Sequence, residues 1–447
     1  MPGQGCGPLQ EACRSDPARL AQGGGPALSL GRGCHAAIVG HMQHHPVDPT
    51  DPTEARRPMA DAPDERPAPR DPAAGRLRIA LVAPPAEAVP PIAYGGTERI
   101  VYELAVELDR RGHAVTVFAS GDSDVPCELI TTVPRALRGS GHHGDASGFV
   151  LATIAEVLRR ASAFDVIHGH LDFAGVLLAH ASPTPTVGTF HGRLDRPFAG
   201  AILADAPFGL VAISRNQASM HPEVPWAGIV HNGLTLDGAP FQTERDDSLV
   251  FVGRICEEKG VVDAIEVARL TGRRLRIAAK IGPSAAEQAY AESVFEPALE
   301  RADAEYLGEL SGPDRDRIVA ESHALIMPGA WPEPFGLVAI EALACGTPVI
   351  GRRVGALPEI VRQGVDGFLA DDAAQMAFLV ERVAELDRAA IRADVIDRFS
   401  AGRMVDGYEE VYARVLSGGT APDRGPGYEH GPIAAAESMA APEPIRA

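Results

Sequence analysis

The sequence predicts an α/β fold in which two doubly wound parallel-sheet domains follow each other along the chain. From residue 77 onward, short aliphatic runs alternate with amphipathic stretches of helical spacing, which is the pattern of parallel strands and their covering helices. The alternation is interrupted near residues 234–246 and then resumes as a second series. A chain of 447 residues also exceeds the size of one ordinary domain. These three observations predict two Rossmann-like domains.

The first series begins with LRIALVAPP at residues 77–85, a buried strand that runs into a loop. The glycine loop AYGGTER follows, and IVYELAVELDRRGH has apolar residues at helical spacing that end near Gly112. AVTVFAS is predicted to be the second strand, which completes a β-α-β unit. Further along, ATIAEVLRRA has helical spacing, and strands are predicted at DVIHGH, TPTVGTFHG, LVAIS and GIVHNG.

The second series repeats this pattern after residue 245. Strands are predicted at SLVFVGR, LRIAAKIG, AEYLGEL, ALIMPGAW and TPVIGRRVG, and the stretches ALPEIVRQG and DGFLADD complete the series. Helices are predicted at VVDAIEVARLTG, EQAYAESVFEPALERA, PDRDRIVAESHA and GLVAIEALACG, and a long amphipathic one at FSAGRMVDGYEEVYARVLSGG. Because such sheets bind ligands beyond the carboxyl ends of their strands, the loops after the strands should face one another across a cleft.

These patterns set the expected domain boundaries. We expect an N-terminal domain over residues 76–240, a C-terminal domain over 241–397 and a C-terminal helix over 398–417. Residues 1–75 and 418–447 are rich in proline, alanine and glycine and poor in large apolar residues. Such segments cannot bury enough surface to offset the entropy of ordering them, so we expect both to be disordered.

Composition narrows the function. With 60 acidic against 41 basic residues, the formal net charge is -19, which argues against nucleic acid as a partner. None of the six cysteines forms a C-x-x-C pair, so we expect reduced thiols and no zinc site. No apolar run long enough for a membrane span and no secretory signal are visible. We therefore expect a cytoplasmic protein, leave peripheral membrane contact open, and hypothesise that translation starts at Met59 and not before.

The strongest chemical signal is PEPFGLVAIEALACGTPVI. Phe335, Gly336 and Leu337 lie where a loop enters a helix, and the free amides of a helix amino terminus form a phosphate site. Glu341 lies two turns into that helix, and its carboxylate suits the vicinal hydroxyls of a ribose. Glu333 lies before the helix, where it suits the hydroxyls of a sugar beyond the phosphate.

The second signal is GRICEEKG, which lies between a predicted strand and a helix. Arg254 and Lys259 project from this one loop after Gly253, in an otherwise acidic chain. A planar guanidinium and a compact ammonium can together neutralise a diphosphate. The loop therefore predicts an anion site next to the helix terminus.

Polar groups at the ends of the first-domain strands predict the other side of the cleft. Gly95 and Gly96 allow a ligand close to the backbone, and Thr97 and Glu98 are predicted to open the helix as cap and first-turn acid. His168, with His170 on the same face of its strand, is predicted to line the acceptor side. Two histidines are too few for a metal site, so no metal is expected there.

These motifs resemble those of the retaining GT-B glycosyltransferases of glycosyltransferase family 4, the E-x7-E type. The resemblance implies two Rossmann-like domains that face each other across a cleft, with the donor held mostly by the second and no metal used. It implies that Arg254 and Lys259 stabilise the departing diphosphate. It further implies that Glu333 positions the donor sugar, Glu341 binds the ribose and His191 contacts the transferred sugar.

The predicted function is transfer of a hexose from a nucleotide-diphosphate sugar to an acceptor, with retention of anomeric configuration. The nucleotide sugar is a co-substrate and no cofactor is expected; the acceptor class is left open among small molecules, glycans and lipids. A Rossmann oxidoreductase is not favoured, because no G-x-G-x-x-G follows the first strand. A sugar-nucleotide epimerase of the same fold and a non-catalytic nucleotide-sugar-binding protein remain as alternatives.

Overall fold

The computed structural model describes residues 75–92, 95–142, 144–204, 206–207, 209–243 and 245–418. The expected disorder at the two chain ends and the hypothesis on Met59 fall on residues outside these ranges, apart from Gly75 and Gly418.

The described residues of the N-terminal half form one seven-stranded sheet in which all pairs are parallel, in the order β3-β2-β1-β4-β5-β6-β7. Its strands are β1 (Arg78–Val82), β2 (Ala114–Ser120), β3 (Glu128–Val133), β4 (Val166–Gly169), β5 (Thr186–Phe190), β6 (Leu210–Ala212) and β7 (Gly228–Ile229). Its helices are α1 (Gly96–Arg110), α2 (Ser147–Arg160), α3 (Phe173–Ala181), α4 (Ala199–Leu203) and α5 (Arg215–Ser219).

The C-terminal half forms a six-stranded parallel sheet in the order β10-β9-β8-β11-β12-β13. Its strands are β8 (Leu249–Arg254), β9 (Leu275–Lys280), β10 (Ala304–Gly308), β11 (Ala324–Met327), β12 (Val349–Arg352) and β13 (Gly367–Ala370). The helices are α6 (Val261–Thr271), α7 (Ala285–Tyr290), α8 (Glu296–Leu299), α9 (Gly312–Glu321), α10 (Leu337–Ala344), α11 (Leu357–Ile360), α12 (Ala373–Val380), α13 (Arg388–Arg398) and α14 (Ala401–Leu416).

The two-domain α/β prediction is confirmed, and each predicted strand is present. The sequence patterns missed β3, an edge strand that pairs with β2 alone and is mostly half-buried or exposed. An edge strand of this kind lacks the continuous aliphatic run that marks a buried parallel strand. The helix predicted at EQAYAESVFEPALERA is divided, because a π-helical turn at Ala291–Phe295 separates α7 from α8.

The strand order places the ligand cleft. In both sheets the order reverses beside the first strand, between β1 and β4 and between β8 and β11. Ligands of doubly wound sheets bind at this switch point, beyond the carboxyl ends of the strands. The core beneath it is aliphatic: β1 is almost wholly buried and packs under Leu104 and Leu108 of α1.

The two halves are connected by two segments, one at Leu234 and one at Ser400, which run next to each other. Leu234 and Ser400 form an isolated parallel bridge, with the Leu234 amide donating to the Phe399 carbonyl at 3.0 Å. Ser400 also caps α14 by accepting from the Arg403 amide, so this helix begins at Ala401 and not at the expected residue 398. The helix α14 then packs against α1 of the N-terminal half.

No helix within the described residues is long and apolar enough to cross a membrane.

Candidate active site

A cavity of about 420 Å³ lies between the loops of the two sheets. The N-terminal half contributes the β1–α1 loop and the residues after β5, and the C-terminal half contributes the end of β8 and the loop before α10. A smaller cavity of about 140 Å³ shares part of this lining, including Gly96, Gly253 and Leu337. The predicted site residues that line the large cavity are Gly95, Gly96, Thr97, His191, Gly253, Arg254, Lys259, Glu333, Phe335, Gly336 and Leu337.

The amino terminus of α10 faces the large cavity. Its N-cap Gly336 has φ of 109°, and no side chain caps the helix. The first amides of α10 are therefore available to an anion, in the field of the helix dipole. Phe335, in contrast, is 3% exposed and packs edge-on against Phe399, so its side chain mainly anchors the loop.

Both predicted cations reach the same cavity, and each is held by a carboxylate. The Lys259 ammonium pairs with Glu333 and lies 5.1 Å from the centre of the Trp331 ring. Arg254 Nη1 lies 2.6 Å from Oε1 of Glu287. These contacts hold the long side chains in place, which lowers the entropy lost when they bind an anion.

Glu341 lines the smaller cavity and not the large one. Its carboxylate is 9% exposed and pairs with two arginines, Arg315 at 2.9 Å and Arg99 from α1. Neither arginine was predicted from the sequence. Arg99 ends the motif AYGGTER, and this position was the available signal.

His191, which is partly buried, pairs with the fully buried His170. Its Nε2 lies 2.8 Å from Nδ1 of His170, and its backbone amide donates to Asp172 Oδ1 at 2.8 Å. Burial lowers the pKa of His191 to about 4, so the ring is neutral at neutral pH. A neutral imidazole can still donate or accept one hydrogen bond with a hydroxyl in the cavity.

His168 lies away from the cavity, which corrects the expectation that it lines the acceptor side. It is fully buried, with Nδ1 at 2.8 Å from the Tyr412 hydroxyl and Nε2 at 2.8 Å from Thr189 Oγ1. Tyr412 belongs to α14, so this histidine joins β4 to the C-terminal helix. Thr97 is also corrected, because α1 begins at Gly96 with Gly95 as N-cap and Thr97 caps nothing.

Further contacts join the two halves, and the sequence patterns did not predict them. Arg193, which follows the predicted His191, pairs with Glu258 of the β8–α6 loop. Glu359 accepts hydrogen bonds from the backbone amides of Arg215 and Asn216 at 2.9 and 2.8 Å. Sequence spacing carries no signal for such pairs, because their partners lie far apart in the chain.

Solved structures with the same architecture define the class. AviGT4, a glycosyltransferase involved in avilamycin A biosynthesis, is 26% identical with a TM-score of 0.57 and covers 76% of this chain and 98% of its own. HepE of Anabaena, solved in complex with UDP and glucose, is 19% identical with a TM-score of 0.59, over 76% of this chain and 100% of its own. Two Rossmann-like sheets that share a cleft in this way make up the GT-B fold, and the chain is a GT-B glycosyltransferase.

It belongs to glycosyltransferase family 4. The model described as Glycosyltransferase Family 4 matches residues 94–223, and the model described as Glycosyl transferases group 1 matches residues 238–393. A D-inositol 3-phosphate glycosyltransferase of Mycolicibacterium smegmatis is 29% identical over 72% of this chain and 87% of its own length. The enzyme of the same name from Mycobacterium marinum is 28% identical, over 62% of this chain and 70% of its own length.

Proposed function

We propose that this glycosyltransferase moves a hexose from a nucleoside-diphosphate sugar to an acceptor hydroxyl, with retention of configuration and without a metal ion. The observation that carries the proposal is that Arg254, Lys259 and the amino terminus of α10 line one cavity. Two fixed cations and a row of free amides are the groups that a diphosphate requires.

The chemistry follows from charge. Breakage of the bond between the anomeric carbon and the phosphate oxygen leaves positive charge on the sugar and negative charge on the diphosphate. Preorganised cations and amides stabilise that negative charge as it develops, which is the role a metal ion would otherwise fill. Retention corresponds to attack by the acceptor oxygen on the face from which the diphosphate departs, with the hydroxyl proton passing to the departing phosphate.

The remaining predicted residues fit around the same donor. Glu333 accepts hydrogen bonds from hydroxyls of the hexose while it keeps its contact with Lys259. Neutral His191 contacts the sugar without adding positive charge beside the reacting carbon. Glu341 exchanges one of its arginine contacts for the ribose hydroxyls in the smaller cavity.

The relatives of this chain are named as glycosyltransferases. This supports sugar transfer over the two alternatives, which are epimerisation and binding without catalysis. An epimerase would consume its nucleotide sugar without an acceptor. A binding protein would leave the nucleotide sugar unchanged. The cytoplasmic location expected from the sequence stays a prediction.

A thermal-shift screen of the full chain tests the donor. UDP, GDP and ADP, each alone and as hexose conjugates, are added at millimolar concentration. A ligand at 100 times its Kd stabilises the native state by about 2.7 kcal/mol. The nucleotide and the hexose conjugates of one of the three bases should therefore raise the melting temperature. If no nucleotide sugar shifts it, or if the shift is retained after Lys259→Ala, the proposal fails.

A further inference from the structure

The part of the large cavity contributed by the N-terminal half carries charged groups that the donor does not use. It includes Ala86, Gly95, Thr97, Glu98 and Arg138, which we call the N-terminal wall. Two loops form it together. The Leu137 amide donates to the Pro85 carbonyl at 3.0 Å, and the Arg138 amide donates to the Ala86 carbonyl at 3.1 Å.

Glu98 is the unusual group of this wall. Its side chain belongs to the first turn of α1 and lines the cavity, yet the residue is 4% exposed. Within the described ranges its carboxyl accepts hydrogen bonds from the backbone amides of Glu98 and Glu87 but makes no ion pair. A buried carboxyl without a salt-bridge partner destabilises the fold, and such groups are concentrated where a protein binds or transforms a ligand.

The surroundings of Glu98 are mainly acidic. Its pKa is raised to about 7, mainly by burial and in part by the nearby Glu87 carboxylate, against the opposing effect of the backbone amides of Glu98 and Glu87 and of the Arg138 guanidinium. Arg138 is itself committed, because its Nη1 lies 3.2 Å from Oε1 of Glu87. The wall therefore presents the Glu98 carboxyl, with Glu87 near it outside the lining, and the Arg138 cation, which is already paired.

We propose that the N-terminal wall binds an acceptor whose bound part is an unphosphorylated polyol or sugar, with Glu98 accepting hydrogen bonds from its hydroxyl groups. The inference rests on the proposed function. Hydroxyls donate well to a carboxylate, and a bidentate contact fixes which of them faces the donor. A phosphate at the same place would meet the Glu98 carboxyl, while Arg138, the cation of the wall, is already paired to Glu87. The bound part of this acceptor therefore lacks the negative charge of inositol 3-phosphate, the compound for which the relatives are named.

Matched acceptor pairs test this selectivity. The full-length enzyme is incubated with each donor that passes the thermal-shift screen and with myo-inositol, myo-inositol 3-phosphate, glucose or glucose 6-phosphate, and the products are detected by mass spectrometry. At least one neutral member should be glycosylated about ten-fold or more faster than its phosphorylated partner. Preference for a phosphorylated member, or transfer to neither neutral compound, overturns the inference. If a donor still binds in that case, the proposed function stands; if none binds, both fall.

The variant Glu98→Gln assigns the selectivity to this residue. The amide keeps the shape of the side chain and removes its charge, so the acceptor KM should rise about ten-fold while the donor KM is unchanged. Discrimination against the phosphorylated partner should fall by a similar factor. The control is Glu410→Gln, whose exposed side chain lies on α14 beside Arg414. Unchanged acceptor KM and unchanged discrimination in Glu98→Gln would overturn the assignment.

Discussion

At the scale of single residues, the part of the cavity that we propose binds the donor combines cations with carboxylates that hold them in place. Arg254 and Lys259 carry its positive charge, and both are oriented by carboxylates, Glu287 and Glu333. A cation that is already in place loses little conformational entropy when it meets a diphosphate. A diphosphate carries more negative charge than one carboxylate, so it competes well for both cations.

Substitution of Lys259 tests this arrangement. Lys259→Ala should lower kcat/KM by roughly 10²–10³, because one preorganised charge contact to the departing diphosphate is lost. Steady-state kinetics with the donor identified by the thermal-shift screen measures the change. Arg269→Ala is the matched control, since Arg269 lies on the following helix and pairs with the exposed Glu266. Equal activity in the two variants would exclude a role for Lys259.

Glu98 gives a prediction on stability. Its pKa is raised from an ordinary 4.5 to about 7, mainly by burial, so between these values the folded state binds a proton that the unfolded state does not. The contribution of this group to the free energy of unfolding is greatest below pH 4.5 and decreases as the pH rises through 7. Glu98→Gln should remove that loss, which makes the variant more stable than the wild type at pH 8 by on the order of 3 kcal/mol.

Urea unfolding at pH 4.5 and pH 8 measures the effect. The free energies of wild type and Glu98→Gln should be similar at the lower pH and differ at the higher one. Glu410→Gln should follow the wild type at both. A constant difference between wild type and Glu98→Gln across the two pH values would contradict the raised pKa.

At the scale of elements, the sequence predicted best where local periodicity and burial agree. The parallel strands and α10 are continuous aliphatic runs bounded by glycine, so their positions follow from the chain itself. The edge strand β3 and the break between α13 and α14 lack such a signal. The break depends on Ser400, which lies against Leu234 from a distant part of the chain.

Gly233 tests this crossing of two segments. A β-carbon at Gly233 would lie 2.2 Å from the Ser400 carbonyl oxygen. Any side chain at this position would therefore prevent the two backbones from lying as close together as they do. Gly233→Ala should lower the free energy of unfolding by roughly 2–3 kcal/mol, as overpacking does elsewhere. Gly238→Ala is the control, since a β-carbon there meets nothing within 4 Å. Equal stability of the two variants in urea would show that the crossing is loose.

At the scale of the whole molecule, ion pairs connect the two halves around the cleft. Arg193 pairs with Glu258 where the side chains are 27% and 40% exposed, and Arg99 pairs with the more buried Glu341. Exposed pairs contribute about 0–1 kcal/mol each, so the first orients the halves without locking them. If Glu341 binds a ribose as proposed, the second pair has to rearrange, and donor binding would then be coupled to the relative position of the halves.

Removal of metal ions tests the reaction as a whole. Because two cations and a helix terminus supply the positive charge, EDTA should leave kcat/KM within about two-fold of its untreated value. The measurement is made after dialysis against chelator, with the unphosphorylated acceptor and the identified donor. Loss of activity that added Mg²⁺ or Mn²⁺ restores would assign the diphosphate contact to a metal ion.

The sequence by itself determined the two-domain α/β fold, and it predicted residues that the structure brings to one cavity. Both depend on local spacing: strands and helices are set by periodicity, and Arg254, Lys259, Glu333 and Gly336 lie in two short motifs. The tertiary structure alone decided which groups meet across the chain. Arg99 reaches Glu341 over 242 positions, and His168 is taken into the interior by α14. Contacts of this kind depend on how two sheets and a returning helix pack, and no local pattern contains that information.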